Sequence, residues 1–255
     1  MERKEVLNSE RFYVTVKKML DYYGCNAFAA PCPDACATRR LNQERMTFCL
    51  THSLLGEMGI PSACEYDIPA CLSIAILSCL VDKPAYMGNT THDAKAIATG
   101  RYGLSPFFHT DINDSCLDVV KADPDNVILT WHAVPRRNMQ GWDAPKAPYA
   151  IRPFAASGFG VTLRYDFNRD VGQEITMCRI SPDCKTLFVA KGEIVGGVGF
   201  GDYSCSEGVF FRVKDGNDFF QKQLEVGNHV PLVYGDCFDQ VCALGKHLGL
   251  QVITA

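Results

Sequence analysis

Hydrophobic positions recur at helical spacing over Ser9 to Tyr23, at Phe12, Val16, Met19, Leu20 and Tyr23, and Gly24 stands where such a helix would end. The apolar run from Cys25 to Ala30 then predicts a short buried strand. The alternation repeats twice. A helix over about Gln43 to Met58, closed by Gly59, leads to a brief strand from Ile60 to Cys64, and a helix from Pro69 to Leu80 leads to a strand from Ala85 to Met87. Alternating helix and strand predict an α/β layer built on a parallel sheet. Ligands of such sheets collect beyond the carboxyl ends of the strands, where this chain carries Pro31-Cys32-Pro33-Asp34, Glu65-Tyr66-Asp67 and Gly88-Asn89. Those three ends are expected to share one rim.

After Asn89 the texture becomes irregular through Asp125 and reads as an insertion or linker. Short β-rich runs follow at Val127 to Trp131, Gly160 to Phe167, Glu174 to Ile180, Thr186 to Ala190, Val209 to Val213 and Val230 to Tyr234, the spacing of a small antiparallel barrel or sandwich. Phe238 to Leu248 reads as a helix and Leu250 to Thr254 as a last strand. The expected fold class is therefore α/β: a partial three-layer parallel-sheet domain followed by a C-terminal antiparallel β-barrel-like domain. The expected division is a partial central α/β domain over residues 1–90, an insertion or linker over 91–125, the β-barrel-like domain over 126–235, and a helix and strand over 236–255 that return toward the α/β part.

A chain with 47% hydrophobic and 21% charged residues has the composition of a globular protein, which excludes disorder. A net charge of −4 with scattered Lys and Arg offers no field for phosphate backbones, so a nucleic-acid partner is not expected. The most apolar stretch, Ile68 to Val81, is interrupted by Pro69, Ser73 and Ser78 and is too short to cross a bilayer. With a charged Met1 to Asn8 and no apolar segment behind it, a cytoplasmic protein is expected. The 13 cysteines are odd in number and fall mostly in apolar runs, as Cys71 and Cys79 do, which favours buried thiols over disulfides. The Cys32 and Cys36 pair lacks the spacing of a zinc knuckle.

Candidate chemistry gathers at Glu65, Asn89 and His229. Carboxylate, amide carbonyl and imidazole together suit Mn²⁺ or a similar divalent ion, although a strand-end Glu taken singly is a cap and a single His a core residue. Their surroundings add to the picture: Glu57-Met58-Gly59-Ile60-Pro61-Ser62-Ala63-Cys64-Glu65-Tyr66-Asp67 and Lys83-Pro84-Ala85-Tyr86-Met87-Gly88-Asn89, preceded by Leu41-Asn42 and followed by Thr130-Trp131-His132, Lys191-Gly192-Glu193-Ile194 and Gly227-Asn228-His229-Val230. These segments resemble the central and C-terminal domains of the L-fucose isomerase and L-arabinose isomerase superfamily, with Ala133 where the family has Cys.

The resemblance implies a metal-dependent aldose–ketose isomerase, or its metal-binding half, acting on a sugar such as L-fucose, L-arabinose or D-arabinose through an enediolate. It implies that Glu65, Asn89 and His229 hold the ion, that Glu65 also serves proton transfer, and that Trp131 and His132 lie toward the sugar. L-fucose isomerase places an Asp where this chain has Asn89, which cannot act as acid or base, so Asp67, His92 or a water is expected to supply the second proton-transfer group. The family's N-terminal domain and the start of its central domain have no counterpart here. A homo-oligomer is therefore expected, or a partner chain that carries the N-terminal domain. The alternatives are a non-catalytic sugar- or partner-binding homologue that keeps the metal-holding shell, and a cysteine-based metal or redox protein.

Overall fold

The computed structural model describes residues 2–37, 43–98, 112–154, 159–202 and 205–255. Leu41, Asn42 and the 99–111 part of the expected linker lie outside them, as does the side chain of Cys36. Helix α1 (Arg3–Tyr23) ends at Gly24, whose φ of 63° lets its N–H turn back onto the carbonyls of Leu20 and Asp21. Two short strands, β1 (Phe28–Ala29) and β2 (Ser62–Ala63), pair in parallel. Around them lie α2 (Cys32–Ala37), α3 (Cys49–Glu57) and α4 (Ile68–Val81). Asp67 caps α4, accepting from the Ala70 N–H at 2.8 Å, and Pro69 sits in the first turn, where a missing N–H costs nothing.

The parallel-sheet domain is not seen. Among the described residues the only parallel ladders are β1 with β2 and one at the end of the chain. The third expected parallel strand instead joins an antiparallel sheet. Tyr86 exchanges backbone hydrogen bonds with Leu232, and β3 (Asn89–Thr91) runs antiparallel to β4 (Val127–Trp131). Partners this distant in sequence, rather than the helix before it, decide the direction in which the segment pairs. Within the expected linker the described residues hold α5 (Asp93–Ala98) and α6 (Asp114–Ala122) rather than irregular chain alone.

A hairpin of β5 (Tyr149–Pro153) and β6 (Val161–Tyr165) stands apart from the main sheet. The remaining strands are β7 (Glu174–Ile180), β8 (Thr186–Val198), β9 (Gly208–Arg212), β10 (Leu232–Tyr234) and β11 (Gln251–Thr254), with α7 (Gly216–Gln223) and α8 (Phe238–His247) between them. The main sheet has 7 strands in the order β10-β7-β8-β9-β4-β3, with β11 parallel to β8. It is mostly antiparallel and does not close into the expected barrel. Among the described residues its ends meet only at the isolated bridges Tyr86 to Leu232 and Asn89 to His229.

One continuous core joins the helical layer to this sheet: Ile74 and Leu77 of α4 belong to the same buried cluster as Met177, Leu232 and Val241. A second cluster under α5 and α6 gathers Ile97, Val120, Leu129 and Phe210. Burial of each large side chain contributes on the order of 1.5–3 kcal/mol. Among the described residues no helix is long and apolar enough to cross a membrane.

Candidate metal centre

The strand β2 ends at a tight turn. Glu65 and Tyr66 both have φ of 59°, a left-handed conformation that side chains other than Gly, Asn and Asp rarely adopt. Tyr66 donates its N–H to Ala30 at the end of β1 (2.9 Å), and Asp67 donates its own to Cys64 (3.2 Å). The turn thereby aims the Glu65 carboxylate away from the sheet it follows while Asp67 starts α4.

His132 follows β4. The Tyr86 hydroxyl accepts from its N–H at 2.8 Å and donates to its carbonyl at 2.9 Å, and the ring is 1% exposed. His229 precedes β10, with its backbone bridged to Asn89. These three elements bring one carboxylate oxygen of Glu65 and one ring nitrogen each of His132 and His229 within 4.8 Å of one another. Such a Glu-His-His group can hold a metal ion. Glu65 is the exposed member, and the two imidazoles are buried. Their Nε2 atoms stand 3.4 Å and 3.3 Å from the two Glu65 oxygens, and neither makes a hydrogen bond among the described residues.

Asp67 sets the orientation of the His229 ring. Its Oδ2 lies 2.8 Å from His229 Nδ1, which leaves Nε2 to face Glu65. Asp67 is held in turn by Arg179 of β7, whose Nη1 and Nη2 donate to Oδ2 and Oδ1 at 2.9 and 3.2 Å, while Nη1 also reaches the His229 carbonyl at 2.6 Å. A carboxylate that fixes an imidazole by its far nitrogen is the usual support of a metal-ligating histidine.

The electrostatics agree with this packing. The His132 and then the His229 imidazole hold the Glu65 carboxyl well below the usual carboxylate range. Burial pushes Asp67 upward, but His229 and Arg179 outweigh it and bring its carboxyl down to about 2. Burial also opposes protonation of His132, yet Cys64 and Glu65 beside it raise its pKa to about 10. His229 shifts upward too, with Asp67 and Glu65 overcoming its burial. Both shifts favour the protonated ring, so a cation at this point would have to displace protons.

Of the residues expected to meet at one site, Glu65 and His229 do so. Asn89 pairs with His229 through the backbone, and its Oδ1 accepts from Asn228 Nδ2 at 2.7 Å. His132, expected beside the sugar, stands with Glu65 and His229. Trp131 is half-buried against the cluster under α5 and α6. The His92 ring packs on Phe220 at 3.5 Å between centroids. Arg179 was not anticipated, although a charged residue inside the apolar run Met177-Cys178-Arg179-Ile180 signals a buried partner. No protein-family model matches the chain, and a search of curated proteins finds no match.

Proposed function

We propose that this chain is the metal-binding part of an aldose–ketose isomerase of the L-fucose and L-arabinose type, with Glu65, His132 and His229 around a divalent ion such as Mn²⁺. The observation that carries the reading is the meeting of one carboxylate with two buried imidazole nitrogens that lack hydrogen-bond partners among the described residues. Oxygen and imidazole donors without thiolate suit Mn²⁺ and its neighbours, and a three-residue set leaves positions open for a ligand's oxygens. The resemblance of the segments around Glu65 and His229 supplies the sugar and the reaction.

When bound, the ion would polarise the sugar carbonyl and favour the enediolate. Glu65, the exposed member of the set, is the group placed to move a proton between C2 and C1. Asp67 has both oxygens engaged by His229, Arg179 and the Ala70 N–H, so its part is to position His229. His132 and its neighbours exclude water from the buried side. Assembly into a homo-oligomer belongs to the same proposal.

A second reading, a sugar-binding homologue without turnover, is favoured by Asn89, an amide whose carbonyl is already hydrogen-bonded to Asn228. One experiment separates the two. The chain is titrated with Mn²⁺ and then incubated with L-fucose, L-arabinose or D-arabinose in D₂O, with ketose formation and C2 deuteration read by NMR. Binding of Mn²⁺ with ketose and deuterated aldose, both lost in Glu65→Gln, supports the isomerase. Binding of Mn²⁺ and sugar without exchange supports the second reading, and a chain that takes up no Mn²⁺ defeats both.

A further inference from the structure

Neutralising Asp67 accounts for only part of what the buried Arg179 side chain does. Its fork meets the carboxylate squarely, with Nη1 on Oδ2 at 2.9 Å and Nη2 on Oδ1 at 3.2 Å. The same guanidinium also grips the chain that leads to His229. Nε donates to the Val226 carbonyl at 2.5 Å, and Nη1 donates a second time, to the His229 carbonyl, at 2.6 Å. Gly227, between those two carbonyls, lies against the guanidinium itself. A Cβ at that position would stand 2.7 Å from Nη2, 2.8 Å from Nε and 3.0 Å from Cζ. Its φ of 109° is also one that residues with a side chain rarely adopt.

An arginine that only balances a buried carboxylate needs its fork and nothing more. Here one rigid plane fixes the Val226 to His229 segment by its carbonyls and, through Asp67, the Nδ1 side of the His229 ring. Backbone and ring of the same histidine are thus set by a single group. The other imidazole has a separate support, because the Tyr86 hydroxyl holds both the N–H and the carbonyl of His132. The two histidine arms of the metal centre can therefore be disturbed one at a time.

We propose, resting on the reading of Glu65, His132 and His229 as ligands, that Arg179 and Gly227 are positioning residues of the metal centre. The guanidinium is the template on which the Val226 to His229 segment is folded, and the missing side chain at 227 is what lets that segment close on it. Neither residue supplies a ligand atom; together they present His229 Nε2 to Glu65, 3.3 Å away. Lysine at 179 would keep the charge but replace a planar fork by a single ammonium on a flexible stem, which cannot hold Asp67 and two carbonyls in one plane. Alanine at 227 would keep the arginine and remove the room for it.

The test loads the full chain with less than one equivalent of Cu²⁺, whose electron-spin-echo modulation counts bound imidazoles through their far nitrogens, and measures Mn²⁺ affinity by calorimetric titration. The native chain should show two imidazoles. Arg179→Lys and Gly227→Ala should each show one, that of His132, with Mn²⁺ affinity lower by about 10- to 100-fold and circular dichroism unchanged. Combining Arg179→Lys with His229→Ala should cost no more affinity than His229→Ala alone, because the arginine acts through that ring. Two imidazoles with native affinity in either folded variant, or additive losses in the double variant, overturn the proposal while leaving the metal centre standing. Where Arg179→Lys does not fold, Gly227→Ala decides by the same reading, and loss of the fold in both overturns the proposal in favour of a purely structural role. A native chain without two bound imidazoles removes the metal centre itself, and this proposal with it.

Discussion

Two carboxylates eight residues apart are each surrounded by cationic groups, and they have opposite characters. Glu57, at the end of α3, has all of its acceptor capacity in use. Its Oε1 takes the Arg137 N–H at 3.1 Å and Nε at 2.6 Å, while Oε2 takes Arg137 Nη2 at 2.6 Å and Lys146 at 3.1 Å. Glu65 faces two imidazoles at 3.3 and 3.4 Å, with nitrogens that complete no hydrogen bond. A bidentate Arg fork closes a site, because its donors match a carboxylate in number and direction. Two ring nitrogens pointed at one carboxylate make a group that could hold a cation. The first arrangement binds α3 to the 137–146 loop; the second could hold a metal ion.

Breaking the closed node has the largest expected effect. Glu57→Ala leaves Arg137 without its partner and should lower stability by about 3–5 kcal/mol, read by urea denaturation. A loss under 1 kcal/mol would mean that solvent replaces the carboxylate and that the node is no more than a surface pair.

At the open node the corresponding change tests support rather than closure. Asp67→Asn keeps a cap for α4 but weakens the hold on His229 Nδ1, and should reduce Mn²⁺ affinity by about 10- to 100-fold in calorimetric titration. Unchanged affinity in a folded variant would show that His229 needs no such support.

Both nodes should weaken on acidification, the open one at higher pH than the closed one. Burial pushes the Glu57 carboxyl up, but Arg137 and Lys146 outweigh it and hold it below its ordinary value of 4.5. Its contribution is therefore complete above 4.5 and is lost as pH falls through the lower folded value. The stability gap between the native chain and Glu57→Gln should narrow as the solution is acidified below that point. Mn²⁺ binding should strengthen as pH rises, because His132 and His229 must release protons to bind. A Mn²⁺ affinity indifferent to pH would remove the two imidazoles from the ligand set.

The smallest effect belongs to Asn89→Ala, which deletes the hydrogen bond from Asn228 and should cost about 1 kcal/mol of stability. Mn²⁺ affinity should fall less than in Asp67→Asn. A loss as large as that of His229→Ala would make Asn89 a ligand in its own right.

Local pattern foretells much of this fold. The periodicity of Phe12, Val16 and Leu20 marks α1, the apolar run after Asp67 marks α4, and Val127 to Trp131 and Glu174 to Ile180 match β4 and β7 as they stand. Helix α7 escapes such reading because, apart from Phe219 and Phe220, Gly216–Gln223 carries no apolar side chain, and its cap, Asp215, looks like one more loop residue. The direction in which Ala85 to Asn89 pairs escapes for a different reason: its partners near 130 and 230 lie outside any local window. The site divides in the same way. Glu65 and His229 stand out through the segments around them. His132 joins them only because Tyr86 and the strand order fix its backbone, and the support that Arg179 gives becomes visible only once sheet and helices are packed.

The paired left-handed residues at Glu65 and Tyr66 also bear on what selection can do with this chain. Gly or Asn would adopt that backbone more readily at either position, so variants chosen for resistance to heat alone should drift toward them. At position 66 such drift would leave the candidate metal centre its three side chains. At position 65 each gain in robustness would remove the carboxylate, and a lineage that keeps glutamate there reveals a demand that folding alone does not impose.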